Sequence, residues 1–540
     1  MMPGCPQEWE ELTADVFLCA WRERKKLQPG KVKSWLATVA RNRALNRLRD
    51  RRELLPLEED VLVLAQDSPQ RELENREAAQ LVRAALETLE PSDRELFVRH
   101  YYYGQTVEKA AEEMEMNRST AKTRLRRGPP AGRPHPIPTP KGDHPMPIFS
   151  RISIALRRPV VMAVKKPTPL TYIGSGRLHT AADLLSQTGS RRVLVMTTPG
   201  MMRRGQLDET LTELREKGID PVVFDRVSPD PTFGIVAEAA RCAAGCDAIL
   251  AVGGGSVLDA AKAAAAAITN HKPAEKLVGI LKVKKQPLLL IAVPTTAGTG
   301  SETTIAAVIS ETKTHRKRQI LDPKIVPFAA ILDPDLTLGL PQGNTVHTAM
   351  DALTHALEAY VSEYATPETD RYAEMAAKMI CEALPAVLQD PKNVKKREEL
   401  LVASFLAGMA FTRTYVGYVH AFAHSIGGRY GVAHGLANAV LLPHVMAYYL
   451  PVCTPRLAKM SAVCGVSTDP DETARAQAFV RHITAMNEQG GVPARLAQFP
   501  RGEIDAVIGE AFAECHGTYP VPRYYTKAAA RALLKTVCAE

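Results

Sequence analysis

Three histidines, His420, His424 and His434, fall within fifteen residues in the segment GYVHAFAHSIGGRYGVAHGLAN. His420 and His424 are one helical turn apart, and Gly427-Gly428 predicts a break before His434 opens a new helical run. Upstream, Asp351 and His355 stand at i and i+4 in Thr348–Tyr360, a stretch of helical spacing, so both project from one face. One carboxylate and three imidazoles suit a divalent first-row ion that keeps an open coordination position. Iron(II) and zinc are both compatible. Any single pair of these residues would be an ordinary core or surface accident. Their combination argues for metal.

A second group of residues suits a diphosphate. The apolar run Ala248–Val252 predicts a strand, Gly253-Gly254-Gly255-Ser256 follows, and Val257–Ile268 is an alanine-rich helix. Glycines let the backbone approach a ligand, and the free amides of a helix start face its negative charge. Leu288–Val293 predicts another buried strand, followed by Pro294–Glu302, PTTAGTGSE, whose small and hydroxyl-bearing residues offer amides and hydroxyls without bulk. Asp225 ends a strand at Pro221–Phe224, where an acid can accept both ribose hydroxyls and repel a 2′-phosphate.

These motifs need a scaffold of alternating strands and helices, and the chain after Pro167 supplies one: Arg192–Thr197, Leu211–Lys217, Pro221–Phe224 and Ile235–Ala244 continue the pattern. At 540 residues the chain suggests several domains, and 45% apolar with 24% charged residues is the mixture of globular protein. No uninterrupted apolar stretch reaches the length of a membrane helix, and the first thirty residues lack a signal-peptide core. Nine scattered cysteines without a C-x-x-C pair fit reduced thiols in a cytoplasm.

Gly128–Pro147 holds eight prolines and three glycines and reads as a linker. The domains expected are therefore 1–127, a linker at 128–147, an α/β domain at 148–336 and a helical domain at 337–540. Ile148–Val164 is apolar with three arginines, and packing against the following domain is favoured over a surface-bound amphipathic role. The net charge of +9 is concentrated near the N-terminus, with twelve Lys/Arg against two acids between Arg22 and Arg52. Thr106–Met114, a turn at Met116-Asn117 and a basic helix at Ser119–Arg127 are spaced like a helix-turn-helix, with Ser119, Thr120, Lys122 and Thr123 on the recognition helix.

Two resemblances follow. GGGSVLDAAK, PTTAGTGSE, MDALTHALEAY and GYVHAFAHSIGGRYGVAHGLANAVLLPHV, in that order, resemble the iron-containing (group III) alcohol dehydrogenases from about residue 165 to the C-terminus. The resemblance implies an α/β nucleotide-binding domain followed by an all-α metal-binding domain, a dehydroquinate synthase-like architecture. It implies Asp351, His355, His420 and His434 as ligands of Fe(II), with Zn(II) as the other option, and His424 as an unliganded active-site histidine. It places NAD on Gly254, Gly255, Ser256, Thr295, Thr296, Ser301 and Lys317, with Asp225 favouring NAD over NADP. The implied reaction takes a small alcohol and NAD⁺ to an aldehyde or ketone and NADH. A metal that lowers the pKa of bound water from 15.7 to about 7 can likewise favour the alkoxide from which hydride leaves. Tyr519, where the family commonly has Asn, marks a different substrate pocket, and a homodimer or higher homo-oligomer is expected.

Residues 1–127 are similar to an extracytoplasmic-function sigma factor, in DVFLCAWRERKKL…VKSWLATVARNRALNRLRDRR and LETLEPSDRELFVRHYYYGQTVEKAAEEMEMNRSTAKTRLRRG, with both ends cut short. That resemblance implies an all-α segment fused to the enzyme, with DNA and RNA polymerase as partners for residues 1–127. The rival reading of the whole chain is a promoter-binding protein with a non-catalytic dehydrogenase tail. An intact ligand set disfavours it.

Overall fold

The computed structural model describes residues 92, 95–96, 107–114, 116–121, 154, 158, 167–312 and 317–539. The chain separates into two units, Met1–Glu87 and Thr88–Glu540, and every described residue belongs to the second. The expected linker and the first sigma-like stretch lie outside the described residues, as do Lys122 and Thr123.

Helix α1 (Val107–Glu113) is followed by a turn and a second helical stretch from Arg118. Asn117 caps that stretch, its Oδ1 accepting from the Ser119 amide at 2.9 Å and the Ser119 hydroxyl at 2.8 Å. Leu96, Ala111 and Ala121 are buried together beneath, while Ser119 and Thr120 are exposed.

The α/β domain is built on nine strands: β1 (Leu170–Ile173), β2 (Arg192–Met196), β3 (Asp220–Phe224), β4 (Ala248–Gly253), β5 (Gly279–Ile280), β6 (Leu289–Pro294), β7 (Ala306–Ser310), β8 (Lys317–Leu321) and β9 (Ala329–Leu332). Six form one sheet in the order β1-β9-β6-β4-β2-β3, with all pairings parallel. The other three form a small sheet, β5-β8-β7. Five helices serve as crossovers: α2 (Thr180–Gln187), α3 (Pro199–Arg203), α4 (Asp208–Glu216), α5 (Phe233–Cys242) and α6 (Gly255–Asn270). Parallel strands must be covered on both faces, so β4 reads AILAVG and every residue in it is buried. Alanines 263–267 let α6 lie close against the sheet. From β2 the chain passes to β3 on one side, and from β4 to β6 on the other. The sheet therefore reverses direction between β2 and β4, where a parallel sheet opens a ligand crevice beyond its strand ends.

From Gln342 onward every regular element among the described residues is a helix: α7 (Gln342–Val361), α8 (Pro367–Gln389), α9 (Val394–Thr414), α10 (Tyr418–Tyr430), α11 (His434–Val463), α12 (Glu472–Gln489), α13 (Ile504–Cys515) and α14 (Lys527–Val537). Helix α7 is the axis of this domain, buried continuously from Ala349 to Val361. It begins six residues before the start expected at Thr348, because Thr345 and Val346 already face the core. Helix α11 is long and apolar enough to cross a membrane, but most of its apolar stretch is buried in the domain. Ile154 is also buried, and its carbonyl accepts a hydrogen bond from the Tyr364 hydroxyl at 2.6 Å, so at this residue the apolar stretch packs on the helical domain.

One expectation is corrected. Helix α10 does not break at Gly427-Gly428 but runs to Tyr430 and ends where Gly431 takes a left-handed conformation, φ 66°. Glycine weakens a helix by about 1 kcal/mol without forbidding it, and the buried residues Phe422 and Ile426 hold this one against its neighbours.

The α/β and helical parts touch through glycines. Gly300 has φ 57° and lies against Gly408 of α9. A Cβ on Gly408 would fall 2.3 Å from Thr303 Oγ1 and 2.8 Å from the Gly300 carbonyl oxygen. Gly408→Ala is therefore expected to destabilise the protein by about 1–3 kcal/mol, seen as a lower Tm in thermal unfolding. An unchanged Tm would show that the 294–301 loop is free to move away from α9.

Candidate active site

Helix α7 places Asp351 and His355 on one buried face, one turn apart. Helix α10 brings His420 toward them, and His434 is the first residue of α11. Asp351 Oδ1 lies 3.6 Å from both His420 Nε2 and His434 Nε2, and the three ligand atoms are all within 4.8 Å of one another. His355 sits beside this trio rather than inside it, its Nε2 2.9 Å from His420 Nε2 and its ring stacked on Phe411 at 4.1 Å. An ion held at about 2.0–2.2 Å by each ligand sets neighbouring ligand atoms roughly 3.0–3.6 Å apart, the spacing present here.

The donor set has also drawn in a hydrogen-bond donor. Asn438, one turn along α11 from His434, directs its amide nitrogen at Asp351 Oδ1 (2.6 Å), His434 Nε2 (3.2 Å) and His420 Nε2 (3.3 Å). Potential ligand atoms converging on one buried amide mark a place suited to a cation. The residues fit a first-row divalent ion.

Burial dominates the electrostatics. It pushes His355 down to about 4 and His434 well below the ordinary histidine value. Burial would lower His420 too, but its hydrogen bonds to the Asp351 and Glu358 carboxylates outweigh it and raise this histidine to about 9. Burial would raise Asp351, yet the surrounding histidines hold it below the usual carboxylate range.

His424 stands apart from the trio, its ring stacked with His434 at 5.3 Å. Its Nδ1 is 2.7 Å from Glu514 Oε1, and the Tyr519 hydroxyl donates to that same oxygen. Glu514 would be raised by burial, but the charge and hydrogen bond of His424 keep it low, hence ionised. An ionised Glu514 accepts the Nδ1–H of His424, so that in the neutral ring Nε2 is the nitrogen with a lone pair. Tyr519, expected as a pocket variation, serves here as a partner of Glu514. Neither Glu514, Glu358 nor Asn438 was expected from the sequence. Glu358 and Asn438 carry a usable signal, lying seven residues after Asp351 and four after His434 on the same helices. Glu514 carries none.

The expected cofactor residues gather along one sheet edge. Asp225 follows β3, Gly254–Ser256 span the step from β4 into α6, and Thr295–Ser301 follow β6. The two central loops fit each other closely. A Cβ on Gly255 would lie 2.7 Å from Thr299, and one on Gly254 would lie 3.3 Å from Thr296 Oγ1. Ser301 faces inward: its hydroxyl donates to Asp259 Oδ1 at 2.5 Å and accepts from buried Lys262 at 2.9 Å. It ties the loop to α6. Lys317 opens β8, is paired with Asp230 at 3.0 Å, and lies near enough to His434 to depress its protonation. Gly298 joins the two halves of the site, since a Cβ there would be 2.7 Å from Thr348, three residues before Asp351.

The comparisons agree with this geometry. Residues 168–334 match the family described as iron-containing alcohol dehydrogenase, and 345–538 match that family's C-terminal domain. The chain belongs to the iron-containing alcohol dehydrogenases. With the family comes metal-dependent alcohol oxidoreductase chemistry. The chain is 36% identical over 340 residues to an NAD-dependent methanol dehydrogenase of Bacillus methanolicus, covering 62% of this chain and 89% of that one. A crystal structure of a 1,3-propanediol oxidoreductase superimposes with a TM-score of 0.67 at 33% identity, covering 69% of this chain and 98% of the other. Sulfoacetaldehyde reductase from Bifidobacterium kashiwanohense, solved in complex with NAD⁺, gives 0.64 at 26% identity, with 69% and 98% covered. Residues 2–53 and 79–128 match Sigma-70 regions 2 and 4, so the N-terminal segment is sigma-factor-like.

This protonation pattern would couple metal binding to proton release. Near pH 7, His355 and His434 are already neutral, whereas His420 carries a proton that a metal must displace. Binding is expected to release about one proton per ion, read by calorimetry in buffers of different ionisation enthalpy. His420→Ala should abolish that release and most of the bound metal. Stoichiometric metal in a folded His420→Ala chain would contradict its role.

Proposed function

We propose that residues 167–540 oxidise a small alcohol with NAD⁺, giving an aldehyde or ketone and NADH, with Fe(II) held by Asp351, His355, His420 and His434. The observation that carries this reading is the convergence of buried Asp351 and His420 with half-buried His434, reached through Gly298 from the 294–301 loop. The ion, when bound, supplies Lewis-acid stabilisation of negative charge on the substrate oxygen. The amides at the start of α6 face the cofactor's pyrophosphate, Thr295 and Thr296 offer hydroxyls, and Lys317 approaches from β8 near the nicotinamide ribose. Asp225 takes the adenosine ribose hydroxyls and disfavours a 2′-phosphate. NAD⁺, when bound, would accept hydride from the alcohol carbon, and the hydroxyl proton would leave toward His424. With Nδ1 held by Glu514, His424 presents Nε2 to accept that proton. Relatives named for methanol and 1,3-propanediol support a small primary alcohol as substrate.

For residues 1–127 we infer promoter DNA and RNA polymerase as partners. The support is the two Sigma-70 matches and the capped, exposed helix start at Asn117–Thr120. The described cysteines are all free thiols, which fits a cytoplasmic setting.

A chain beginning at Met146 keeps Ile154 and all the site residues. It is expected to reduce NAD⁺ in an alcohol screen with kcat/KM within about threefold of full length. Inactivity of this folded chain while full length works would make the N-terminal part a structural partner of the enzyme. In the same assay Asp225→Gly should relax the preference for NAD⁺. An unchanged ratio of kcat/KM for NAD⁺ over NADP⁺ would remove Asp225 from the specificity argument.

A further inference from the structure

Glu358 lies on the same face of α7 as Asp351 and His355, and it is 3% exposed. A buried carboxylate needs several donors, and all those recorded for it come from the start of α10. Glu358 Oε2 accepts from the Gly417 amide at 2.7 Å and faces His420 Nδ1 at 2.6 Å, while Oε1 accepts from the Val419 amide at 2.7 Å. Residue 417 must be glycine for this approach, since a Cβ there would lie 2.8 Å from Glu358 Oε1. The carboxylate therefore does two things at once. It satisfies amides that a helix start leaves without intrahelical partners. It also holds His420 by Nδ1, so that Nε2 is the nitrogen turned toward Asp351 and His434.

We propose that Glu358 is the positioning residue of the metal site: it orients His420 and anchors the start of α10, so that one helix supplies two ligands and the outer partner of a third. This deepens the metal reading above and rests on it. A carboxylate bonded to the far nitrogen of a metal-bound histidine holds the ring and strengthens it as a ligand, and losing such a partner typically weakens metal affinity about 10–100-fold. Glu358→Gln keeps the volume and removes the charge, while Glu358→Asp keeps the charge.

Metal affinity is measured by chelator competition on wild type and both variants, beside the Tm of the metal-free proteins. Affinity is expected to fall about 10–100-fold in Glu358→Gln and to recover in part in Glu358→Asp. Equal affinity in a folded Glu358→Gln chain, with or without a lower metal-free Tm, would reduce Glu358 to a structural cap and overturn the proposal. Wild type that binds no metal would instead sink the metal reading itself. If Glu358→Gln does not fold, histidine-selective ¹⁵N NMR of zinc-loaded wild type decides the matter. The His420 signal, assigned by its loss in His420→Asn, should show a protonated Nδ1 and a metal-bound Nε2. A His420 bound through Nδ1 would overturn the proposal.

Discussion

Two carboxyl groups, Asp351 and Glu358, are buried two turns apart on one helix, and both need polar partners there. The desolvation penalty for a buried ion is several kcal/mol even after relaxation. Helices α10 and α11 answer that demand. The start of α10 satisfies Glu358 with two amides and an imidazole, and the same imidazole then faces Asp351 from its other nitrogen. Helix α11 begins at His434 and adds Asn438 one turn later, so both reach Asp351 Oδ1. The ligands are thus held by rigid helices rather than by loops, the arrangement that keeps a site precise.

The dinucleotide side meets this centre by a different device. Where α7 is packed by large buried side chains, the 294–301 loop approaches by having almost none. Gly298 lies against Thr348 and Gly300 against Gly408, which brings a loop at the sheet edge to within a turn of Asp351. Lys262 anchors the other end of that loop from inside α6. It is fully buried, bonded to Ser301 and Thr304, and lowered to about 8 by burial. The cost of burying that amine stabilises nothing by itself, but it leaves the loop with one way to sit.

Much of this was legible in the sequence, for identifiable reasons. Strands β2, β3, β4 and β6 are short apolar runs between turn residues, and each lies within a residue or two of where it was expected. Asp351 and His355 declare themselves because i and i+4 share a helix face. The sigma-like turn at Met116-Asn117 was legible from the polar residues that cap it. What stayed hidden were partnerships across long separations. The spacing from Asp351 puts Glu358 on the right face of α7, but its partners on α10 are not in that spacing, and Glu514 meets His424 across ninety positions. Ser301 resembles a ligand-facing hydroxyl in sequence, yet burial turns it toward Asp259 and Lys262. The helix end at Gly431 was misplaced because adjacent glycines signal a break locally, whereas the packing of α10 overrides them.

If α7 organises the metal site as proposed, His420 binds through Nε2 while Glu358 keeps its Nδ1. Anomalous diffraction from crystals loaded with the metal, collected at its absorption edge, tests this most directly. The account predicts one peak about 2.0–2.2 Å from an Asp351 oxygen and from the Nε2 atoms of His355, His420 and His434, with Glu358 still against His420. A peak that leaves out Asp351 or His420, or that is coordinated by Asn438 in the place of either, would contradict it.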